Sequence, residues 1–367
     1  MKTHSCSPVL GALATLFVSA CGSSGATTGS GSNSVGATTG ASGPGGAGAG
    51  GAEGSSTASV GGAGGAVGVG GGAPSVTSSA ATTGSGSSGT GGSGGFGTIF
   101  TILLENHDYD QVVASADTPY INSLIGKYGL ATNYQDSMLH PSLPNYLYLI
   151  TGAKQYPGFI DVAPSGNGVF PRDADNLGNQ LELAGIHWRS YQESSVTPCN
   201  LDGDGVYEPK HDPFLYFSDI QNNAAVCNNR NVDYSKFPAD LAAGSYQYMW
   251  ITPNMTNNGH NPTGDPVAAV KQADLWLSTE VPKILASQAY QNNGVLFITW
   301  DEGTGTFGTT DHVAMIVISP KLKSPGMKVA TALSHASYLR TIEDIFGISD
   351  KLGAAQNATN LMEFFTP

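Results

Sequence analysis

Positively charged residues are scarce in this sequence. It contains 15 Lys and Arg against 28 Asp and Glu, which gives a formal net charge of −13. Lys2 and Glu53 are the only charged residues before position 97 and cancel, so the rest of the chain carries the whole net charge. This excess of acid argues against nucleic acid or an anionic membrane surface as a general partner. It does not exclude an anionic substrate, because a bound cation inverts the local field.

The amino-terminal region has no long hydrophobic run. The apolar stretch over residues 9–18 is too short to span a bilayer and, following Lys2, is typical of a secretory signal peptide. We assign residues 1–21 to this signal; they end in Val18-Ser19-Ala20-Cys21, which resembles a bacterial lipobox. Two interpretations stay open: Cys21 is the lipidated first residue of a cell-envelope lipoprotein, or an ordinary cut after Ala20 yields a secreted protein.

Residues 22–96 lack almost every side chain that supports a folded core. Gly, Ser, Ala and Thr dominate, Glu53 is the only charge, and Phe96 is the only aromatic residue. Such a segment cannot bury enough apolar surface to offset the entropy lost on ordering. We therefore predict a disordered linker with an end-to-end distance of roughly 45–50 Å, which would space a domain from a membrane.

Cysteine is rare, with four in the chain. Cys6 and Cys21 fall in the signal region, which leaves Cys199 and Cys227 in the remaining domain. No CxxC or accompanying His spacing suggests metal ligation by this pair. In an exported domain the pair predicts a disulfide.

Residues 97–367 are long enough for one α/β domain with a sizeable core. Alternating strands and helices predict a mostly parallel sheet sandwiched by helices, with residues 193–237 irregular. The predicted strands are 98–104, 186–191, 246–252, 295–300 and 312–319, and the predicted helices are 118–128, 142–150, 175–184, 265–287 and 337–346. The expected core residues of the longest helix are Val267, Val270, Leu275, Leu277, Val281 and Ile284.

Two of these apolar strands stop at pairs of potential metal ligands. Glu105 and Asn106 follow the first strand, and Asp301 and Glu302 follow the strand at 295–300. Ligands bind at the carboxyl ends of strands in open α/β sheets. The two pairs together would make an oxygen-rich site for a hard divalent cation.

Ser142 stands at the predicted start of a helix. Backbone N–H groups point outward there and the helix dipole favours anions. A serine hydroxyl is a weak nucleophile unless a metal or a base activates it. Ser142 is therefore a candidate nucleophile if the strand ends lie beside it, and otherwise a helix cap.

Four stretches together resemble the bacterial phosphoesterase family that contains acid phosphatases and non-specific phospholipases C, within the alkaline phosphatase-like superfamily. They are LENHDYD at 104–110, HPSLPNY at 140–146, WDEG at 300–303 and SHASYLRTIEDIFG at 334–347. The resemblance implies an alkaline phosphatase-like α/β/α fold and metal-dependent hydrolysis of phosphoric esters. It also implies a mechanism through a phosphoserine intermediate.

Site residues carry over from the matching motifs. The resemblance implies that Glu105, Asn106, Asp301 and Glu302 hold one divalent metal ion and that Ser142 is the nucleophile. All-oxygen ligands favour Ca²⁺, Mg²⁺ or Mn²⁺, with Fe and Zn as alternatives.

The histidines divide into two groups. The family has a histidine loop at His260, although Asn257 and Asn258 stand where an Asp usually precedes it, and His211 matches a loop that faces substrate. We interpret His260 and His211 as catalytic. A lower-ranked group is assigned to substrate binding, with a structural hydrogen bond as the alternative: His140, His107 and His312. His335 is expected to cap or buttress the last helix.

The leading hypothesis is an acid-phosphatase-type phosphomonoesterase in the cell envelope. The alternatives are a phospholipase C, a phospholipid or phosphoinositide phosphatase, and a non-catalytic surface lipoprotein of the same fold. Phospholipases C of this family usually carry further carboxy-terminal domains, which favours the phosphatase. The expected partner is a small phosphate ester or phospholipid head group. Membrane contact is expected only through the lipid anchor, and neither nucleic acid nor a protein partner is expected.

Overall fold

The computed structural model describes residues 95–154, 161–165, 170–260, 264–306 and 308–367. The predicted signal peptide, Cys21 and the linker up to residue 94 lie outside these ranges. Phe96, at the end of the predicted linker, is buried and packs edge-on against Phe365, with 5.1 Å between ring centroids. The hydrophobic core of the described domain therefore includes Phe96.

An eight-stranded sheet forms the centre of the domain. Its strands are β1 Ile99–Leu104, β2 Gly129–Ala131, β4 Trp188–Gln192, β5 Asn231–Asp233, β6 Tyr248–Thr252, β7 Val295–Trp300, β8 Met315–Ile318 and β9 Lys328–Val329. They lie side by side in the order β5-β4-β6-β1-β7-β8-β2-β9. Every neighbouring pair is parallel except the two made by β8, which runs antiparallel to β7 and β2. The predicted mostly parallel sheet is therefore confirmed. A two-stranded parallel ribbon pairs β3 Tyr134–Gln135 with β10 Leu333–Ser334.

Helices flank the sheet, and their ends follow the capping rules read from the sequence. Pro119 occupies the first turn of its helix, and Gly152 ends another in the left-handed conformation at φ 62°. The Asp265 side chain accepts hydrogen bonds from the first backbone N–H groups of the longest helix. The helices are α1 Tyr109–Val112, α2 Pro119–Lys127, α3 Ser142–Thr151, α4 Leu177–Leu183, α5 Ser218–Gln221, α6 Ala224–Arg230, α7 Phe237–Ala243, α8 Pro266–Ala286, α9 Gln288–Gln291 and α10 His335–Ile345.

Two of the six core residues predicted on α8 are wrong. Val267 and Leu275 are 45% and 59% exposed, whereas Val270, Leu277, Val281 and Ile284 are buried. Leu275 lies about 140° round the helix from Val270, at 3.6 residues per turn. Val267 belongs to the first turn, beside the exposed cap. Apolar type alone therefore overestimated the width of the buried stripe.

Other element boundaries also differ from expectation. The strand predicted from His312 begins only at Met315, and the segment 193–237 contains α5, α6 and β5 rather than irregular chain alone. These elements have three to seven residues, which is too short for a hydrophobic period to be recognised.

The predicted disulfide is present. Cys199 and Cys227 are bonded, with 5.3 Å between their Cα atoms. None of the helices in the described part of the chain combines the length and apolar character needed to cross a membrane.

Candidate active site

The predicted meeting of the two strand ends is confirmed. β1 and β7 are adjacent and parallel, with Leu104 paired to Trp300, so the residues that follow them reach the same edge of the sheet. The pairing continues one step further, because the Asp301 N–H donates to the Leu104 carbonyl at 3.0 Å. Two segments far apart in sequence thus deliver their acidic residues to one place.

Asn106 links the two strand ends. Its backbone adopts a left-handed φ of 34°, a conformation that asparagine tolerates better than most residues. Its backbone N–H donates to Asp301 Oδ1 at 3.4 Å, and its side-chain Nδ2 donates to Glu302 Oε1 at 3.1 Å. The amide side chain is thereby fixed with its oxygen on the side of Ser142.

The hydroxyl of Ser142 lies among these groups. Ser142 is the first residue of α3, and its Oγ donates to Glu105 Oε2 at 3.0 Å. Glu302 Oε1 is 3.4 Å away and Asn106 Oδ1 is 3.5 Å away. The structure therefore brings the candidate nucleophile to the expected metal ligands.

Two further residues of α3 face the same group, and sequence reasoning assigned them no role. Asn145 Nδ2 donates to Glu302 Oε2 at 2.9 Å, and the Tyr146 hydroxyl donates to Glu105 Oε1. They stand three and four residues after Ser142, which places all three side chains on one helix face. That spacing was the signal from which they could have been found.

Burial and mutual repulsion disfavour charge on the three carboxyls. Burial raises the pKa of Glu105 to about 7. Burial and then repulsion from Glu105 raise the pKa of Glu302 to about 9. The pKa of Asp301 is raised well above its ordinary value by burial and by repulsion from both glutamates. Asp301 Oδ2 is also buried without a hydrogen-bond partner in the described part of the chain. Such a donor set fits a divalent cation, which would relieve the repulsion and complete the coordination of Asp301.

His211 and His260 lie at this site, as expected. His211 Nε2 is 3.3 Å from Glu105 Oε1, and its ring stacks on Tyr146 with 5.1 Å between centroids. His260 lines a cleft of about 350 Å³, and its Nδ1 has no hydrogen-bond partner among the described residues. The cleft is lined by Asn106, His107, Gln111, His260, Pro266, Glu302, Gly303, Thr304 and Gly305.

Lys210 gives this side of the site a positive charge. It pairs with Asp161, whose Oδ1 also accepts the Leu143 N–H at 3.2 Å at the start of α3. Burial and then the charge of Lys210 lower the pKa of both His211 and His260. Lys210 directly precedes His211, but no sequence pattern predicted a role for it.

The lower-ranked histidines occupy different surroundings. His107 lines the cleft, with Nε2 3.0 Å from the Gly259 carbonyl and Nδ1 3.3 Å from Gln111 Oε1. His312 is exposed and stacks on Tyr109 at 4.0 Å, outside the group around Ser142. The structure therefore brings His107 to the site and leaves His312 apart from it.

His335 buttresses the site from behind. Its Nε2 lies 2.6 Å from the Asp301 carbonyl, and its Nδ1 lies 3.0 Å from the Tyr134 hydroxyl. His335 therefore supports the β7 strand end, whereas Ser334 rather than His335 caps the last helix.

A second acidic group lies on the far side of Glu302. His140 Nδ1 is 2.9 Å from Glu302 Oε2, while its Nε2 faces Asp136 Oδ2 at 3.4 Å and Asp311 Oδ2 at 3.6 Å. We call Asp136, His140 and Asp311 the Asp-His-Asp cluster. Its ligand-type atoms all lie within 4.8 Å of one another, so it can bind a metal ion. Both ring nitrogens of His140 face carboxyl groups, so neither nitrogen is directed at the cleft.

The raised carboxyl pKa values predict an unusual dependence of stability on pH. In the metal-free protein, the folded state retains protons that the unfolded chain releases above about pH 4.5, up to about pH 9. The free energy of unfolding should therefore fall as the pH rises through this window. After chelation we expect Tm to drop by at least about 5 °C between pH 5 and pH 8.5, since each kcal/mol shifts Tm by roughly 2–4 °C.

Saturating divalent cation is the control for this measurement, because a cation at the carboxylates should flatten or reverse the slope. Thermal unfolding by circular dichroism at several pH values measures both series. An equal pH dependence with and without cation would contradict the assignment.

Similarity to known proteins assigns this chain to a protein family. The sequence model of the phosphoesterase family matches residues 111–349. A Kluyveromyces lactis protein named "Probable acid phosphatase" is 30% identical over 288 residues, which cover 72% of this chain and 61% of the relative. A Mycobacterium tuberculosis phosphatidylinositol-3-phosphatase is 27% identical over 272 residues, covering 73% of this chain and 82% of the relative. The chain thus spans less than two thirds of the first of these relatives.

Solved structures support the same fold. An alkaline phosphatase superfamily protein from Vibrio parahaemolyticus superposes with a TM-score of 0.51 at 15% identity, covering 70% of this chain and 68% of that one. A lipoteichoic acid synthase from Listeria monocytogenes gives a TM-score of 0.51 at 10% identity, with coverage of 70% and 74%. These likenesses establish the alkaline phosphatase-like architecture, and the family match extends over most of the described domain. This chain belongs to the phosphoesterase family.

Proposed function

We propose that this protein is a metal-dependent phosphatase that hydrolyses phosphate monoesters through Ser142. One observation carries the proposal: the Ser142 hydroxyl lies at a helix start, 3.0 Å from a buried Glu105 and 3.4 Å from Glu302. A helix cap alone needs no cluster of buried carboxylates. A site for phosphoryl transfer needs a nucleophile and a positive charge for the phosphoryl oxygens, which a cation held by these carboxylates would supply.

The residues proposed to hold the cation are Glu105, Asn106, Asp301 and Glu302. A divalent ion bound there supplies positive charge for the phosphoryl oxygens and lowers the pKa of the serine hydroxyl. The orphaned Asp301 Oδ2 supports this assignment, since it is buried and has no hydrogen-bond partner in the described part of the chain.

The first proposed step joins Ser142 to phosphorus. Ser142 Oγ attacks in line, its proton passes to Glu105 Oε2, and the bond from phosphorus to the leaving alcohol oxygen breaks. Tyr146 and Asn145 hold the two glutamates in place through their hydrogen bonds. Lys210 supplies a positive charge on the histidine side of the site.

The leaving alcohol needs a proton, and His260 is the proposed donor. It lines the cleft and its Nδ1 is free of hydrogen bonds within the described residues. Its pKa is lowered by burial and then by Lys210, so the protonated form is populated under acidic conditions. This favours activity on the acid side of neutrality. In the second step water attacks phosphorus and gives a proton to His260, the bond from phosphorus to Ser142 Oγ breaks, and Ser142 Oγ recovers its proton from Glu105.

A phosphoinositide head group is the second candidate substrate. It is favoured by the M. tuberculosis relative, a phosphatidylinositol-3-phosphatase of which the alignment covers 82%. This candidate requires the same chemistry and differs only in the alcohol that leaves.

The purified full-length protein should release phosphate from p-nitrophenyl phosphate between about pH 4 and pH 9, with higher rates at acidic pH. EDTA should abolish release, and Mn²⁺, Mg²⁺ or Ca²⁺ should restore it. A phosphatidylinositol 3-phosphate substrate in mixed micelles tests the second candidate, and bis-p-nitrophenyl phosphate measures diesterase activity. Absence of release from every substrate with every metal would sink the proposal, as would full activity in EDTA.

A further inference from the structure

The Asp-His-Asp cluster has no role in the proposed reaction, yet it is almost completely buried. Asp136, His140 and Asp311 are 4%, 7% and 8% exposed. Asp136 Oδ2 and His140 Nε2 point toward one another at 3.4 Å, and neither makes a hydrogen bond with any described residue. Leaving polar atoms of this kind unpaired in a protein interior costs free energy.

Both ring nitrogens of His140 face carboxyl groups. Nδ1 lies 2.9 Å from Glu302 Oε2, and Nε2 faces Asp136 Oδ2 and, at 3.6 Å, Asp311 Oδ2. With Nδ1–H directed at Glu302, the Nε2 lone pair and two carboxylate oxygens would surround one point. A cation there would satisfy all three atoms.

The two separations from His140 Nε2 match those of a tetrahedral transition-metal site. Zinc bonds of 2.0–2.2 Å at the tetrahedral angle separate neighbouring ligand atoms by about 3.3–3.6 Å. The observed separations from His140 Nε2 are 3.4 and 3.6 Å. Octahedral Mg²⁺ would require about 2.8–3.0 Å, and Ca²⁺ takes oxygen ligands rather than imidazole.

The two carboxylates are already oriented by the backbone. Asp136 Oδ1 accepts the N–H groups of Met138 at 3.0 Å and of Asp311 at 3.1 Å. Asp311 Oδ2 accepts the Gly305 N–H at 2.7 Å and keeps a further lone pair. A Cβ at Gly305 would lie 2.1 Å from Asp311 Oδ1, so the close approach depends on glycine. The ligands are thus fixed before any ion arrives.

We propose that Asp136, His140 and Asp311 bind a second divalent transition-metal ion, zinc in the first instance. This site is separate from the cation proposed at the strand ends, and the His140–Glu302 hydrogen bond links the two. An ion on Nε2 would make Nδ1–H a stronger hydrogen-bond donor to Glu302. Losing a partner of this kind typically weakens the neighbouring metal site by about 10- to 100-fold.

Cobalt binding to the full-length protein tests this inference without relying on activity. The protein is stripped with chelator and titrated with Co²⁺. Bound metal is counted by mass spectrometry, and the visible absorption reports tetrahedral coordination. Asp136→Asn and Asp311→Asn should each lose about one equivalent together with the tetrahedral band. Asp301→Asn, which removes a ligand of the strand-end site and none of the cluster, should keep that band.

Asp108→Asn is the matched control. Asp108 lies in the same loop region and bonds Thr304, but it contributes no atom to the cluster. It should bind as much cobalt as the unchanged protein. If Asp136→Asn and Asp311→Asn also retain full binding, the inference is overturned. If the variants fail to fold, X-ray absorption at the zinc edge of the unchanged protein tests the inference instead. A zinc coordination shell without imidazole nitrogen would overturn it.

Discussion

Replacing Ser142 with alanine should lower kcat for phosphate release by roughly 10³-fold or more, the scale seen when a catalytic nucleophile is removed. The hydroxyl is the one group of α3 placed among Glu105, Glu302 and Asn106 without being anchored elsewhere. The variant removes a single oxygen from a helix start, so its fold should persist. Its bound cation should also remain, since four proposed ligands are unchanged. Steady-state kinetics and metal analysis measure the two effects separately.

A matched control is available at Ser319. This serine is also buried, and its hydroxyl donates to the Gly294 carbonyl at 2.8 Å, at the opposite edge of the sheet from Asp301. Ser319→Ala should lose some stability and little activity. Acid-quenched wild-type protein should carry phosphate on Ser142 by mass spectrometry. If Ser142→Ala works within tenfold of the wild-type rate, Ser142 is not the nucleophile.

Asp301→Asn should change activity and stability in opposite directions. The substitution removes a proposed ligand, so we expect the strand-end cation to be lost and kcat to fall by at least about 10²-fold. In the metal-free protein the same change removes a carboxyl whose pKa is raised by burial and by Glu105 and Glu302. Tm of the metal-free variant should therefore exceed that of metal-free wild type.

The size of this stabilisation should depend on pH. Below about pH 3 the wild-type carboxyl is mostly protonated in folded and unfolded chains alike, because the ordinary pKa of Asp is 3.8, so Asn and Asp should give similar Tm values there. As the pH rises, the unfolded wild-type chain ionises while the folded one resists, and the advantage of Asn should grow. Asp108→Asn, at a carboxyl outside the buried group, serves as the comparison. A variant that stays active, or one less stable than metal-free wild type at pH 8, would remove Asp301 from the proposed ligand set.

Much of this site was predictable because each part lies in a local pattern. The apolar runs before Glu105 and Asp301 predicted two buried parallel strands, and parallel strands place their carboxyl ends together. The position of Ser142 was predictable because it begins a helix whose following residues are recognisably apolar. Asn145 and Tyr146 stand three and four residues after Ser142 on the same helix. This spacing alone would have predicted that they face the same site.

The Asp-His-Asp cluster could not be found in this way. Asp136 follows a two-residue strand, and Asp311 precedes an isolated bridge between Gln135 and His312. One antiparallel residue pair brings these two acids together across 175 positions. No hydrophobic period or helix cap in the sequence marks such a pairing, because the surrounding loops stabilise it. The exposed Leu275 has a similar cause: which residues of α8 are covered depends on the neighbouring elements it packs against.

The neighbouring positions of β1 and β7 also determine when the site can exist. Asn106 and Asp301 are 195 positions apart, and they meet only after the intervening chain has folded between them. Contacts of such long range form late, because loop closure must precede them. A nascent chain that has not yet reached Asp301 already contains Ser142 and Glu105 but lacks two of the four proposed ligands. A nascent chain that ends before Asp301 should therefore lack the proposed strand-end cation site.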